Sequence, residues 1–232
     1  MSLKDDLSSE VTSIFGSQWD VQTTTNVPAA EDLRLDANHA KELESATVLY
    51  ADLDSSTNMV DSYEWHFSAE VYETYLRCAA QIIRTEGGVI TAYDGDRVMA
   101  IFTGDSKNTL AATCAMKINF AVSYIIQPAL KVQYPNTTFQ LNHVVGIDTS
   151  QLHVARIGVR GDNDLVWVGR AANYAAKLTS LSDETTWITQ DVYDRLNDSR
   201  KYFDGKPMWT EHNWTQMNNM TVYSTNYWWR VE

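Results

Sequence analysis

GGVITAYDGDRVMAIF, which spans residues 87–102, contains two runs of strand-forming residues joined by Asp94 and Gly95. An Asp-Gly pair between two such runs is the preferred turn of a tight β-hairpin. The two glycines that open the stretch are a common helix-ending signal. The stretch therefore predicts the end of a helix followed by a hairpin, whose tip carries Asp96 at an exposed end of a sheet.

A strand and a helix are predicted before this hairpin. Residues 47–51 (TVLYA) form a short apolar run that is typical of a buried strand. Residues 52–58 (DLDSSTN) are of the types that cap helices and build turns. From about Ser68 to Gly87, apolar side chains recur at helical spacing. The order along the chain is thus strand, helix, strand, strand.

The remaining sequence continues this mixture of helices and strands. Helices are predicted over residues 106–126, 170–181 and 191–196. Strands are predicted over residues 139–147, 153–159, 164–168, 187–189 and 221–229. Asp148, Thr149 and Ser150 are expected to form a turn between the first two of these strands. We expect one α+β domain over residues 45–232, with helices covering a mostly antiparallel sheet, preceded by a helical and extended arm over residues 1–44.

The charge balance separates classes of function. The chain has 30 acidic and 18 basic residues and a formal net charge of −12, which argues against a nucleic-acid-binding surface. No apolar run approaches the roughly 20 residues of a membrane-spanning helix, and the first residues do not resemble a signal peptide. The expected setting is the cytoplasm, with neither membrane nor nucleic acid as a partner. Cys78 and Cys114 fall in predicted helices and are expected to be core residues.

Two aspartates follow strand ends that the predicted topology leaves exposed. Asp52 precedes Ser55, Ser56 and Thr57, and Asp96 lies at the hairpin tip. Carboxylates bind hard divalent cations, and exposed amides and hydroxyls bind phosphate oxygens. Two carboxylates on neighbouring strand ends are able to bridge two such ions roughly 3.5–4 Å apart. The alternative interpretation is that Asp52 only caps a helix and Asp96 belongs only to the turn.

Four segments, in this order, resemble the catalytic domain of the class III adenylate and guanylate cyclases. Residues 50–57 (YADLDSST) are similar to the metal-binding strand and phosphate loop of that family, and residues 87–102 to its second metal-binding hairpin. Residues 145–150 (VGIDTS) resemble the strand before the dimerisation region, and residues 168–178 (VGRAANYAAKL) the helix with the transition-state residues. The matches span about residues 46 to 225, and the ordered set is far more specific than any single match.

The resemblance implies a fold and a set of site residues. The fold is α+β, a ferredoxin-like antiparallel sheet core covered by helices, in a head-to-tail homodimer whose active sites are shared between protomers. Asp52, Asp96 and the backbone carbonyl of Leu53 would hold two divalent cations, Mn²⁺ or Mg²⁺, for attack of the ribose 3′-hydroxyl on the α-phosphorus. Asn173 would position the ribose, and Lys177 would offset charge on the transferring phosphoryl group. The family usually has arginine at the position of Lys177. A lysine keeps the positive charge but lacks the planar guanidinium group.

Three positions bear on which base is accepted. Purine cyclases read the base with two side chains, and the matching positions here hold Ala92 and Val166, neither of which is able to hydrogen-bond a base. Tyr50, two residues before Asp52 on the same strand, is expected to project into the cleft and narrow it. A slip of one residue in the hairpin would instead place Tyr93 at the first reading position.

These departures resemble the pyrimidine cyclases of bacterial anti-phage systems. The expected reaction is conversion of UTP to 3′,5′-cyclic UMP and pyrophosphate, with a downstream effector that reads the product. Cyclisation of CTP, or of a purine nucleotide through atypical base contacts, is an alternative of the same class. A degenerate domain that senses nucleotides or acts as a scaffold is the non-enzymatic alternative. A two-metal phosphodiesterase or polymerase-like module is a third, but it does not account for the helix with Asn173 and Lys177.

Overall fold

Two long antiparallel strands form the centre of the sheet. The computed structural model describes residues 2–35 and 38–232. The strands are β1 (Asp20–Thr23), β2 (His39–Leu53), β3 (Val89–Asp94), β4 (Arg97–Phe102), β5 (His143–Val159), β6 (Asp162–Val168), β7 (Thr186–Thr189), β8 (Tyr202–Phe203), β9 (Lys206–Pro207), β10 (Thr210–Trp214) and β11 (Met220–Thr225). The helices are α1 (Leu3–Gly16), α2 (Ser56–Ser62), α3 (Trp65–Thr85), α4 (Lys107–Ala121), α5 (Gln127–Gln133), α6 (Arg170–Leu178), α7 (Gln190–Asp194) and α8 (Asp198–Lys201).

The sheet confirms the predicted fold class. Strands β5, β2, β4 and β3 lie side by side, and each is antiparallel to the next. Helices α2 and α3 connect β2 to β3, and α4 and α5 connect β4 to β5. This is the ferredoxin-like arrangement of an α+β domain. Strands β7, β11 and β10 extend the sheet beyond β5, and the pairs β5–β7 and β1–β2 are parallel.

The two faces of the sheet are covered by different helices. Side chains alternate between the faces along each strand. Leu49 and Ala51 belong to the larger apolar core, which also contains buried residues of α3 and α4. Val48 on β2 and Met99 on β4 belong to a smaller core with three alanines of α6. Helix α6 therefore covers part of the second face, and the rest of that face is not covered by this helix.

The predicted hairpin forms, but its turn lies one residue later than expected. Asp94 pairs with Arg97, so Asp94 ends β3 and the two turn residues are Gly95 and Asp96. Gly95 has φ +61, which a residue with a side chain rarely adopts. A glycine at the first turn position suits a tight hairpin turn. Asp96 is thus a turn residue itself and not the first residue of a strand.

The turn predicted at Asp148, Thr149 and Ser150 is wrong, because all three lie within the continuous strand β5. Asp148 is fully buried, and it accepts hydrogen bonds from Arg170 and from Thr189. The hydroxyl of Thr149 donates to the carbonyl of Ala46. These polar side chains are tolerated inside the sheet because residues of other elements form hydrogen bonds with them.

Strand β2 is longer than the sequence indicates. It begins at His39, so the predicted boundary between residues 44 and 45 falls inside a strand. A bulge lies between Leu43 and Ala46 in its pairing with β5. Before the bulge, β2 pairs with β1, which belongs to the predicted arm. The arm itself contains the expected short helix, α1.

A long helical stretch covers one face of the sheet. Residues 107–133 form α4, a π-helical segment over Val122–Ile126, and α5. By length and composition this stretch is apolar enough to cross a membrane, which the sequence prediction missed, but 61% of its most apolar window is buried inside the protein. We interpret it as a core helix. Cys114 on this helix is buried, as predicted, whereas Cys78 is half-buried, and both are free thiols.

The C-terminal region contains elements that the sequence prediction missed. Strands β8, β9 and β10 and helix α8 precede the final strand. That strand ends at Thr225, so the predicted extension to residue 229 is wrong. The tail is instead held by hydrogen bonds and ring contacts, such as the hydrogen bond from the Trp229 amide to the carbonyl of Met116 at 3.1 Å.

Candidate active site

Asp52 and Asp96 lie next to each other because β2 pairs with β4. Asp52 is the register partner of Arg97, and Arg97 directly follows Asp96 in the hairpin. The carboxylate of Asp96 is close enough to raise the pKa of Asp52 by charge repulsion. The strands therefore bring together the two aspartates that the sequence predicts to bind metal.

The carboxylate of Asp52 lies in a mostly buried position. Its side chain is 16% exposed. Burial raises the pKa of Asp52 above its usual value; Arg97 and a hydrogen bond from Thr179 act in the opposite direction. Arg97 Nε lies 3.4 Å from Asp52 Oδ2. Arg97 thus offsets part of the negative charge at this end of the sheet, where Asp54 and Asp96 lie close to Asp52.

These donors fit hard divalent cations. Two neighbouring carboxylates repel each other when both are ionised, and a divalent cation bound between them removes this repulsion. Leu53, whose carbonyl is the third expected ligand, directly follows Asp52 at the end of β2. Within residues 2–35 and 38–232, no three His, Cys, Asp or Glu side chains form a complete metal site. A site with two carboxylates and a backbone carbonyl is consistent with this finding.

A short segment connects Asp52 to α2 and carries the residues that the sequence predicts to bind phosphate. Ser55 has φ 60 and precedes α2, while Ser56 and Thr57 form its first turn. Ser55 and Thr57 are exposed and Ser56 is half-buried. Asp52 does not cap α2, because the N-cap residue is Ser55 and the Asp52 carboxylate accepts its hydrogen bond from Thr179. The alternative interpretation of Asp52 as a helix cap is therefore wrong.

Tyr50 and Ala92 line the same face of the sheet as Asp52. Both are register partners of Met99 and pack in the smaller core with it. Burial raises the pKa of the Tyr50 hydroxyl, and the Arg97 charge acts in the opposite direction. Val166 is placed differently: it is 41% exposed on β6. The structure does not bring Val166 to Tyr50 within one protomer.

Asn173 and Lys177 lie on the solvent-exposed side of α6. Both are exposed on α6, whose buried residues are Ala171, Ala172, Ala175 and Leu178. Lys177 Nζ lies 3.9 Å from the sulfur of Met217. Among the described residues, neither Asn173 nor Lys177 contacts Asp52 or Asp96 through a hydrogen bond or ion pair. Across the described part of the chain, these contacts therefore do not join the expected metal ligands to the expected transition-state residues.

Helix α6 is fixed by an ion pair between Arg170 and the buried Asp148, which the sequence prediction missed. Arg170 donates from Nε and one Nη atom to the two carboxylate oxygens of Asp148, at 3.0 and 3.2 Å. The same guanidinium donates to the carbonyl of Thr149 at 2.8 Å. Burial raises the pKa of Asp148, whereas the bond from Thr189 and the charge of Arg170 act in the opposite direction. This network sets the position of the helix that carries Asn173 and Lys177.

Gly146 allows α6 to approach the sheet. A Cβ atom at this position would lie 2.1 Å from the carbonyl oxygen of Ala175 and 2.9 Å from Cβ of Leu178. Gly146 is also the register partner of Tyr50 on β2. The close contact between helix and sheet therefore lies beside the expected base pocket.

Arg97 and Thr179 are the site residues that sequence reasoning missed. Arg97 Nε is buried and has no hydrogen-bond partner among the described residues. It lies close to both Asp52 and Tyr50, since its charge acts on the pKa of each. Thr179 reaches Asp52 across a separation of 127 residues. The contact of Arg97 with Asp52 follows from the pairing of β2 with β4, and that of Thr179 follows from the packing of α6. Neither contact is visible in the sequence alone.

Comparisons with known proteins agree with this architecture. A uridylate cyclase of Burkholderia cepacia is 61% identical over 228 residues, which cover 98% of this chain and 99% of that protein. Uridylate cyclases of Xanthomonas perforans and a Rhodovulum species are 53% and 37% identical over 98% or more of each chain. No family model matches the chain.

Solved structures show the fold. The adenylyl cyclase CyaB from P. aeruginosa superposes with a TM-score of 0.65 at 20% identity, covering 80% of this chain and 95% of that one. The guanylyl cyclase Cya2 superposes with a TM-score of 0.67 at 17% identity, covering 79% and 92%.

Proposed function

The chain belongs to the uridylate cyclases, within the class III nucleotide cyclase fold, and from this premise we propose that it converts UTP to 3′,5′-cyclic UMP and pyrophosphate. One observation carries the proposal. Asp52 and Asp96 lie together at one end of the sheet, on the face where Tyr50 and Ala92 flank Met99. The metal-binding pair and the altered base pocket therefore share one surface.

The metal site uses the carboxylates of Asp52 and Asp96 and the carbonyl of Leu53. When bound, two Mn²⁺ or Mg²⁺ ions neutralise the triphosphate and make the ribose 3′-hydroxyl more acidic. Ser55, Ser56 and Thr57 offer hydroxyls and amides to the phosphate oxygens, and their place directly after Asp52 supports this role.

Asn173 and Lys177 act in the site of the partner in a homodimer. Asn173 positions the ribose, and the Lys177 ammonium stabilises negative charge that develops on the transferring phosphoryl group. Their exposure on α6, away from Asp52 of the same chain, supports a site shared between two copies. A head-to-tail dimer gives two equivalent sites about a two-fold axis.

The base pocket suits a pyrimidine. Ala92 and Val166 offer no side-chain hydrogen bond to a purine edge, and Tyr50 occupies space beside the metals. The Tyr50 hydroxyl and the Nε donor of Arg97, which forms no hydrogen bond within residues 2–35 and 38–232, provide polar contacts on this face. We assign UTP and not CTP as the substrate because the relatives at 61%, 53% and 37% identity are uridylate cyclases.

The biological setting completes the proposal. The enzyme acts in the cytoplasm and makes a second messenger in bacterial anti-phage defence, where a cyclic-nucleotide effector reads the product. Resemblance to the pyrimidine cyclases of such systems supports this role. The net charge of −12 fits a protein that meets its anionic substrate through divalent cations and does not bind nucleic acid.

Product identification tests the activity. Purified protein with Mn²⁺ or Mg²⁺ is supplied with ATP, GTP, CTP and UTP separately, and products are identified by mass spectrometry, with Asp52→Ala as the inactive control. Cyclic UMP as the main product is expected. Preference for CTP, ATP or GTP would replace the substrate assignment, and hydrolysis without a cyclic product would indicate a phosphodiesterase-like site. No release of pyrophosphate from any triphosphate would favour the non-enzymatic alternative.

A further inference from the structure

A hydroxyl at the end of α6 contacts the metal-site carboxylate of the same chain. Thr179, the C-cap residue of α6, places its Oγ1 3.2 Å from Asp52 Oδ2. The same oxygen lies 2.9 Å from the carbonyl oxygen of Ala176. A threonine hydroxyl has one proton to donate, and an ionised carboxylate is a stronger acceptor than a neutral carbonyl. The proton is therefore directed to Asp52 when that residue is ionised.

This is the one hydrogen bond that the Asp52 carboxylate receives from residues 2–35 and 38–232. Arg97 forms an ion pair with it at 3.4 Å, but Arg97 Nε has no hydrogen-bond partner in the same part of the chain. Tyr75 donates to the backbone carbonyl of Asp52 at 3.3 Å and does not fix the carboxylate. Thr179 thus supplies the directional hydrogen bond to the carboxylate, and Arg97 adds an ion pair to the same oxygen.

Thr179 points to a different side of α6 from Asn173 and Lys177, the two residues proposed to act in the partner's site. Successive helical residues are rotated by about 100°, so a position two residues after Lys177 points roughly the other way. Thr179 turns toward the sheet and Asp52, while Asn173 and Lys177 are exposed. The C-terminal end of α6 therefore contacts the metal site of its own chain.

We propose that Thr179 is a positioning residue that orients the Asp52 carboxylate for divalent cations. The proposal rests on the proposed function for its metal site. The hydroxyl holds Oδ2, and Oδ1 receives no hydrogen bond from residues 2–35 and 38–232, so it stays available to a cation. Threonine has a restricted χ1 angle, so the hydroxyl is held with little freedom. Hydrogen bonds to ligating carboxylates tune metal affinity in this way, and their loss typically lowers it 10–100-fold.

A Mn²⁺ titration tests this role without nucleotide or turnover. Free Mn²⁺ is measured by electron paramagnetic resonance while the protein is titrated, for wild type, Thr179→Val and Thr179→Ser. Ser180→Ala is the matched control, because Ser180 donates to the Lys177 carbonyl and its hydroxyl has no contact with Asp52. Thr179→Val should raise the Mn²⁺ dissociation constant about tenfold or more. Thr179→Ser should stay within about threefold of wild type, and Ser180→Ala should match wild type.

Steady-state kinetics separates positioning from a general structural defect. For Thr179→Val, the half-saturating Mn²⁺ concentration should rise by the same factor, while kcat at saturating Mn²⁺ stays within about threefold of wild type. Thermal melting identifies a folding defect; if Thr179→Val melts early, Thr179→Ala supplies the same comparison.

Three results would overturn the inference: wild-type Mn²⁺ affinity in the folded variant without a hydroxyl, equal loss in Thr179→Ser, or equal loss in Ser180→Ala. Failure of wild type to form cyclic UMP while it still binds Mn²⁺ would contradict the proposed function instead.

Discussion

Tyr50 and Ala92 flank Met99 in one row across the sheet, since Met99 is the register partner of Tyr50 on β2 and of Ala92 on β3. All three side chains face the surface that carries Asp52. Tyr93 is the partner of Val98 and faces the opposite side. The hairpin register therefore places the alanine, and not Tyr93, on the face where a purine would be read.

Substitution of Tyr50 should weaken base selectivity. Tyr50→Ala removes the ring that narrows the pocket, so the ratio of kcat/KM for UTP to that for ATP should fall by about tenfold or more. Tyr93→Ala is the matched control, because its ring is 55% exposed on the other face. Steady-state kinetics with both nucleotides measures the ratio. An equal change in the two variants would remove Tyr50 from the base pocket.

Two inactive variants should complement each other in a mixed dimer. Asp52→Ala and Asn173→Ala should each reduce turnover to background as homodimers, because each removes one half of every site. After mixing and subunit exchange, the heterodimer has one site with both halves intact. Cyclic UMP formation should then return to about a quarter of the wild-type rate, since half of the dimers are mixed and each has one intact site. Absence of recovery despite confirmed exchange would mean that each site belongs to a single chain.

A methyl group at Gly146 should displace α6. Gly146→Ala would place Cβ 2.1 Å from the Ala175 carbonyl oxygen, so the helix has to move. Overpacking of this kind lowers the free energy of unfolding by about 1–3 kcal/mol, and a shift of about 1 Å at a catalytic helix lowers activity about 100-fold. Urea denaturation and turnover measure the two effects. Gly16→Ala is the control, because no described residue lies within 4 Å of a Cβ added there, and both quantities should stay near wild type.

Neutralisation of Asp52 should stabilise the metal-free protein. The pKa of Asp52 is raised in the folded state above its usual value of 3.8. The native state therefore binds this proton more tightly than the unfolded state does, and stability falls as the pH rises from below 3.8 through the raised pKa. At pH 7 in EDTA, Asp52→Asn should have a higher free energy of unfolding than wild type.

The pH dependence and the metal dependence check this interpretation. The advantage of Asp52→Asn should shrink as the pH is lowered and wild-type Asp52 takes up its proton. Addition of Mn²⁺ should stabilise wild type more than the variant, because the variant lacks a ligand carboxylate. Chemical denaturation at several pH values measures both trends. A variant less stable than wild type at pH 7 in EDTA would show that the ion pair with Arg97 outweighs the burial of charge.

Local sequence patterns were sufficient for much of the fold. The helical spacing of apolar residues predicted α3, and the paired strand-forming runs predicted the hairpin of β3 and β4. The order of segments around Asp52 and Asp96 indicated the family, which the full-length relatives show. These signals lie within a few turns or strand residues of one another, so they are visible along the chain.

The errors arise where distant residues decide the structure. The sequence predicts Asp148 in a turn, but Arg170 and Thr189, 22 and 41 residues away, donate hydrogen bonds to its carboxylate inside β5. The contact of Thr179 with Asp52 spans 127 residues, and that of Arg97 depends on the pairing of β2 with β4. No local pattern reports such partners.

The early start of β2 has a practical consequence for expression of the catalytic region alone. A fragment that begins at residue 45 would start inside this strand and lose the pairing of Ala40 to Leu43 with Leu152 to Ala155. The outer half of β5 would then present free amides and carbonyls along an uncovered edge, which is a template for aggregation. The N-terminal arm is thus part of the sheet, and soluble fragments have to keep His39 and the residues that pair with it.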